Sequence, residues 1–273
     1  MAGARILIEA GPEVSFVRMA RTLLGRPVYW TGCYLVDGLL VDCGPPALAP
    51  ALLDALSGQR LEALVITHHH EDHSGGASLL AARLGLVAQA HARSASVLQG
   101  GFQVEAYRRL AWGGAPQSIE ARVLGAVVET RAHRFEVIET PGHSPDHVCL
   151  FERERGWLFC GDLFLAERLR YLRADEDLGA LIESLHRVVA LPLREVFCAH
   201  RGPVRDGPAA LGRKLERLQG LVRRVGELHA LGLAEAEIAR RVVGREGFMT
   251  LFSLGHFSAR NLVRAALPLC YRS

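Results

Sequence analysis

Lysine is almost absent from this chain. Lys214 stands alone among 32 basic residues, and arginine carries the rest. Acidic residues number 29, so the net charge is only +3. That excess leaves no basic footprint for a polyanion, and nucleic acid is not the favoured partner. No apolar run reaches the roughly 18 residues that a membrane span needs, so no membrane partner is expected. The start, Met1-Ala2-Gly3-Ala4-Arg5, leads into a strand and lacks the form of a signal peptide; a cytoplasmic protein is expected. The six cysteines are scattered, with no CxxC pair. Cys149, Cys160 and Cys198 lie in apolar strand contexts and read as buried free thiols. No repeat of the solenoid kind is present.

The most informative stretch is His68-His69-His70-Glu71-Asp72-His73, followed by Ser74-Gly75-Gly76. It follows Leu61-Glu62-Ala63-Leu64-Val65-Ile66, an apolar run that reads as a buried strand bounded by Thr67. The carboxyl end of such a strand is where α/β sheets place their chemistry. Imidazoles and carboxylates are hard to hold in an apolar core without partners. A divalent metal is a common partner, because neutral imidazole and carboxylate are standard zinc ligands. Three later runs end in the same way. Arg134 to Glu139 leads to Thr140-Pro141-Gly142-His143, Trp157 to Phe159 leads to Cys160-Gly161-Asp162, and Glu195 to Cys198 leads to Ala199-His200. In each, a β-prone run ends in a metal-competent residue with Gly or Pro nearby to turn the chain.

In order, these residues match His-x-His-x-Asp-His, Pro-Gly-His, Gly-Asp and a final His. With that pattern the chain resembles the metallo-β-lactamase-fold hydrolases over roughly residues 5 to 205. Val41-Asp42-Cys43-Gly44 is similar to the family's early Asp-x-Gly turn, whose Asp supports the site from behind the ligands. The resemblance implies an α/β fold, the αββα sandwich. It implies one metal on His68, His70 and His143, a second on Asp72, His73 and His200, and Asp162 bridging both. Two zinc ions are the first choice; iron or manganese also suits a nitrogen and oxygen donor set. Asp72 would orient the reacting water and accept its proton. His69 and Glu71 fall off the pattern and are expected to point away from the metals. Cys43 and Cys160 neighbour the site, but the ligand set is complete without them. Oxygen-reducing members carry Glu where this chain has His70, which argues against a flavo-di-iron enzyme.

The chain has room for one large domain and a small appendage: residues 1–207 for the sandwich and 208–273 for a helical domain. Expected strands cover Arg5–Glu9, Gly32–Val36, Leu39–Val41, Leu61–Ile66, Val87–Ala90, Val127–Glu129, Phe135–Glu139, His147–Phe151 and Trp157–Cys160. Expected helices cover Leu48–Leu56, Ser74–Leu84, Ala95–Leu110 and Leu178–Val189. After His200 the character changes, with helices at Pro208–Ala230, Leu233–Arg241 and Phe257–Leu267. This tail is similar to the small helical domain of glyoxalase-II-like and ribonuclease-like members, some of which resemble winged helices. Packing on the core, support of a homodimer or walling of the pocket is the preferred role over nucleic-acid binding.

Arg168, Arg170 and Tyr171, just after Asp162, are candidates to hold a carboxylate or phosphate of the substrate. His256 is a weaker pocket candidate, and Gly100-Gly101, Phe102 and Trp112 are candidates for a rim. His91, His133, His186 and His229 have no motif around them and read as surface or satisfied histidines. The favoured function is hydrolysis of a small thioester, ester or lactone, as in glyoxalase-II-like enzymes. The alternatives are phosphodiester cleavage of RNA and a mononuclear-iron persulfide dioxygenase. Metal analysis of purified protein is expected to find about two zinc ions per chain; one iron would point to sulfur oxygenation instead.

Overall fold

The computed structural model describes residues 2–271; Met1 and the last two residues, the outer ends of the two expected domains, lie outside it. The first sheet runs in chain order: β1 (Ala2–Ala10), β2 (Val14–Leu23), β3 (Arg26–Val36), β4 (Leu39–Val41), β5 (Ala63–Ile66), β6 (Ala88–Ala90) and β7 (Arg122–Val123). Between these strands lie α1 (Ala49–Ala55), α2 (Glu71–Ser74), α3 (Ala77–Leu84), α4 (Ala92–Gly100) and α5 (Ala106–Trp112). β1 to β4 pair antiparallel, and β4 to β7 pair parallel. The turn between β3 and β4 is Asp37-Gly38, with φ of 43° and 80°. Two consecutive positive φ values suit a tight hairpin whose twist matches the strands, and Asp-Gly adopts them readily.

The second sheet uses β8 (Val127–Glu129), β9 (Arg134–Glu139), β10 (Val148–Glu152), β11 (Trp157–Phe159), β13 (Glu195–Cys198) and β14 (Gly202–Pro203), in the order β14-β13-β11-β10-β9-β8. β12 (Leu172–Arg173) leaves this sheet, and α6 (Leu178–Val189) covers it. The C-terminal part adds α7 (Gly207–Ala230), α8 (Glu235–Val242), α9 (Phe248–Phe252), β15 (Phe257–Ser258) and α10 (Ala259–Ala266). β15 pairs with β12, so the tail is joined to the loop after β11 by a two-stranded sheet.

Three apolar clusters define the layers. Phe16, Tyr34 and Val65 of the first sheet meet Phe135, Leu150, Phe159 and Phe197 of the second, forming the core between the sheets. Val17, Met19 and Leu64 turn to the outer side and meet Leu52 of α1, Leu80 of α3 and Leu98 of α4. Leu158, Cys160 and Leu163 meet Leu185 of α6, Leu211 and Leu218 of α7, Ile238 of α8 and Val263 of α10. The result is the expected αββα sandwich, with the C-terminal helices packed on one outer layer. Lys214 of α7 is 3% exposed, and its ammonium donates to the Leu163 carbonyl, fixing the helix to the loop after β11. Among the described residues, no helix is long and apolar enough to cross a membrane.

Several local expectations need correction. Ala95–Leu110 is not one helix: α4 ends at Gly100, and Gly101, at φ 71°, breaks the chain before α5. Phe257 and Ser258 are strand; Ser258 caps α10, its hydroxyl accepting from Asn261 N–H. The long strand β2 escaped reading because both of its faces are covered. Phe16 faces one core and Val17 and Met19 the other, so apolar residues do not alternate cleanly. If α7 shares one core with the sandwich, Leu211→Ala should cost about 2–5 kcal/mol in denaturant unfolding, in a single transition.

Candidate metal centre

Four chain segments bring their ends to one edge of the sandwich. Thr67 and His68 follow β5, and the Thr67 carbonyl accepts from Val148 N–H of β10, so the first segment is tied to both sheets. His70 sits at the start of the short helix α2, which places Asp72 and His73 on its single turn. The His73 amide donates back to the His70 carbonyl. His143 lies in the loop between β9 and β10, Asp162 follows β11, and His200 follows β13. Gly161 is needed before Asp162: its φ is 45°, and a Cβ there would sit 2.6 Å from His147 Nε2.

The seven residues His68, His70, Asp72, His73, His143, Asp162 and His200 are all brought together and all buried. Three groups of ligand atoms lie within 4.8 Å of one another: His68, His70 and His143; His68, His73 and Asp162; and Asp72, His73 and His200. Asp162 joins them. Its Oδ2 is 3.2 Å from His143 Nε2, and its Oδ1 is 3.4 Å from His73 Nε2 and 3.2 Å from His200 Nε2. Asp72 Oδ2 is 3.4 Å from His200 Nε2. His70 differs from the other histidines by presenting Nδ1, 3.1 Å from His143 Nε2. His68 Nε2, His73 Nε2 and Asp162 Oδ1 are buried with no hydrogen-bond partner. Unsatisfied buried polar atoms are rare, and three aimed into one space fit a cation.

The outer nitrogens of the rings are held. His73 Nδ1 donates to Asp42 Oδ2 at 2.8 Å, and His200 Nδ1 to the Trp30 carbonyl at 2.8 Å. His143 Nδ1 pairs with Glu176 Oε1 at 2.8 Å. His68 Nδ1 lies 3.1 Å from Thr67 Oγ1, whose proton goes to Asp42. These bonds put the proton on Nδ1 and leave the Nε2 lone pair facing inward, the tautomer a metal requires. On His70 the outer atom is Nε2, and the Arg173 guanidinium lies 3.0 Å from it while donating to the His143 carbonyl.

Electrostatics agree with a cation at the centre. Burial, then neighbouring positive groups, hold the His68 and His70 pKa values well below the ordinary histidine range. Burial alone would also lower His73 and His200, but Asp162, Asp42 and Asp72 outweigh it and push them well up. Burial would raise Asp72, yet His73 and His200 keep it ionised, below its ordinary value. The carboxylates therefore draw protons onto two rings, where a divalent ion would supply the same positive charge.

Several supporting residues carried no legible signal in the sequence. Arg173 ends the two-residue strand β12 and Glu176 lies in the turn after it, a stretch that only the fold brings back to the site. His147 directly precedes β10; its Nε2 accepts from the Asp162 amide at 3.0 Å, and burial lowers its pKa to about 3, so it stays a neutral acceptor. His69 and Glu71 face away from the cluster, as expected. His69 Nδ1 lies 2.9 Å from Asp146. Glu71 makes a buried two-pronged pair with Arg108 at 2.8 and 2.6 Å. Burial and the adjacent Asp72 charge raise Glu71 to about 7. Cys43 is buried, and its thiol donates to the His73 carbonyl.

The candidate substrate residues sit further out. Arg168 donates to the Val243 carbonyl, and Arg170 is exposed. The Tyr171 hydroxyl lies against Gly247. Among the described residues, no hydrogen bond joins these three to the cluster. His256 bonds Tyr107 at 2.9 Å and approaches Asp175 at 3.3 Å, and Asp175 holds Arg173. Phe102 lies against His69, and Trp112 and Tyr29 lie against His200. His91, His133, His186 and His229 each have a polar neighbour outside the cluster.

The family model described as the metallo-beta-lactamase superfamily matches residues 31–200. A hydroxyacylglutathione hydrolase of Legionella pneumophila (strain Paris) is 32% identical over 179 residues, covering 63% of this chain and 61% of the relative. The chain thus spans about six-tenths of that protein's length. An atrochrysone carboxyl ACP thioesterase of Aspergillus fumigatus is 26% identical over 247 residues, covering 85% of this chain and 71% of the relative. The crystal structure of a beta-lactamase domain protein from Burkholderia ambifaria aligns with a TM-score of 0.72 at 19% identity, over 97% of this chain and 88% of that one; it speaks to the fold alone. Removing the anchor of one ring tests the cluster. Asp42→Asn should weaken metal uptake by about 10–100-fold in a chelator competition, while the fold is kept.

Proposed function

The chain belongs to the metallo-beta-lactamase superfamily, and on that footing we propose that it is a metal-dependent hydrolase of a small thioester, ester or lactone. The observation that carries this reading is three overlapping ligand groups, with Asp162 within 3.4 Å of a histidine from each, and three buried ligand atoms otherwise unpartnered. His68, His70 and His143 would hold one ion, Asp72, His73 and His200 a second, and Asp162 would touch both. Nitrogen and oxygen donors without thiolate suit zinc first, then iron or manganese. With two divalent ions held there, the site would gain a water in its nucleophilic range near neutral pH and polarisation of the scissile carbonyl.

The chain's own groups do the rest. Asp72 stays ionised at the centre and can orient a water or take its proton. Arg108, 4.0 Å from Asp72 Oδ1, keeps a positive charge beside that carboxylate. Asp42, Thr67, Glu176 and the Trp30 carbonyl hold four rings still, so the site need not reorganise during the reaction. A side-chain nucleophile is poorly supported. Burial pushes the Cys43 and Cys160 thiols up, and the Ser74 hydroxyl is spent on the His69 and His70 carbonyls.

A small substrate is supported by the relatives, one named a hydroxyacylglutathione hydrolase and one a thioesterase, and by the slight net charge. Arg168, Arg170 and Tyr171 border the loop after Asp162, and the exposed Arg170 is the group we assign to an acidic end of the substrate. The test is thioester hydrolysis by zinc-loaded protein. Asp72→Ala should lower kcat by about 10²-fold or more even at metal concentrations raised to offset the lost ligand; full activity in that variant would remove Asp72 from the mechanism. Turnover should change little with salt, whereas a steep fall would mark a polyanionic substrate.

A further inference from the structure

The sandwich has four sheet edges, and they are not alike. β7 and β14 are two residues long and β8 is three. Such short edges give another chain little to pair with. β1 is nine residues long and ends its sheet. From Gly3 to Ala10 every residue is exposed except the half-buried Ile6. Leu7 is 38% exposed and Ile8 49%. The strand has no proline and no lysine, two residues that commonly blunt an edge. Its outer row of N–H and C=O groups pairs with no strand among the described residues.

We propose that β1 pairs antiparallel with β1 of a second copy of this chain, with Leu7 opposite Leu7. The occupant follows from the strand's own sequence. A two-fold axis normal to the sheet keeps each residue on its own face, so odd positions must oppose odd ones and even positions even ones. Centred on Leu7, Arg5 faces Glu9 and Glu9 faces Arg5. Ile6 faces Ile8 and Ala4 faces Ala10, each of these also twice. Centring on Ile6 sets Arg5 against Leu7 and Glu9 against Gly3. Centring on Ile8 sets Glu9 against Leu7. Of these registers, only the first pairs both charges and both isoleucines.

Opposite charges facing across an antiparallel pair attract, and like charges repel. Among the described residues neither Arg5 nor Glu9 forms an ion pair within its own chain. Arg5 instead lies over Trp30, 5.9 Å from its ring. The pairing joins two seven-stranded sheets into one and removes the long open edge. It also covers the outer side of the β1-β2 hairpin, and β2 pairs in turn with β3, whose Trp30 carbonyl holds His200.

Size-exclusion chromatography with light scattering tests this on the full chain. The wild type should be a dimer. Glu9→Arg and Arg5→Glu each set like charges face to face twice, and each should raise the dimer dissociation constant about tenfold or more. The double variant R5E/E9R restores opposite charges in reversed order and should dimerise again. Leu7→Cys should cross-link to a covalent dimer on oxidation, because residues facing on the axis lie about 4.5–5.5 Å apart at Cα. Unchanged circular dichroism would show that the folds are intact. A monomeric wild type overturns the proposal. So does a dimer indifferent to both reversals, one not rescued by the double swap, or a Leu7→Cys protein that does not cross-link.

Discussion

Three carboxylates that cannot reach bulk water set the terms at the centre of this protein. Asp42, Asp72 and Asp162 are between 2% and 6% exposed. Charges removed from water are tolerated only when paired and hydrogen-bonded. Asp42 meets this condition through His73 and Thr67. Asp72 and Asp162 instead face the inner nitrogens of His73, His143 and His200, and positive charge held there would compensate them. The four strand-end segments must therefore arrive together, since a missing ring leaves a buried charge uncompensated. The stacked aromatic core of Phe16, Tyr34, Phe159 and Phe197 fixes the distance between the sheets. It thereby fixes the distance between the segments each sheet contributes.

What the sequence makes legible follows from locality. His68, His70, Asp72 and His73 fit into one short loop, and His143, Asp162 and His200 each follow a β-prone run beside Gly or Pro. Their chemistry is unusual enough to be seen without knowing the fold. Asp42 was legible only through resemblance, as its own surroundings carry no pattern. Glu176, Arg173, His147 and the Trp30 carbonyl were not legible at all. They act through hydrogen bonds to ligand residues far away in the chain, and nothing in their neighbours marks that. The missed strand β2 and the divided helix at Gly100-Gly101 have a similar origin. A strand covered on both faces loses its alternation, and a glycine pair inside a helical stretch is ambiguous until its φ is known.

The C-terminal part is more than a cover. Its strand β15 pairs with β12, which carries Arg173 against His70. His256 and Tyr107 close a chain of contacts through Asp175 to that same arginine. The tail and α5, distant in sequence, thus meet beside one ring of the cluster. The rim between them is aromatic and cationic, with Tyr107, Trp112, Tyr29 and Arg108 around buried polar groups.

The solitary lysine gives the folded surface an unusual chemical silence. Its ammonium is covered and held by the Leu163 carbonyl, so an acylating reagent meets no side-chain amine while α7 stays seated. Reaction at Lys214 would require α7 to lift from the loop after Asp162. The rate of that single modification is thus an intrinsic clock for the opening of the joint between the sandwich and its helical tail.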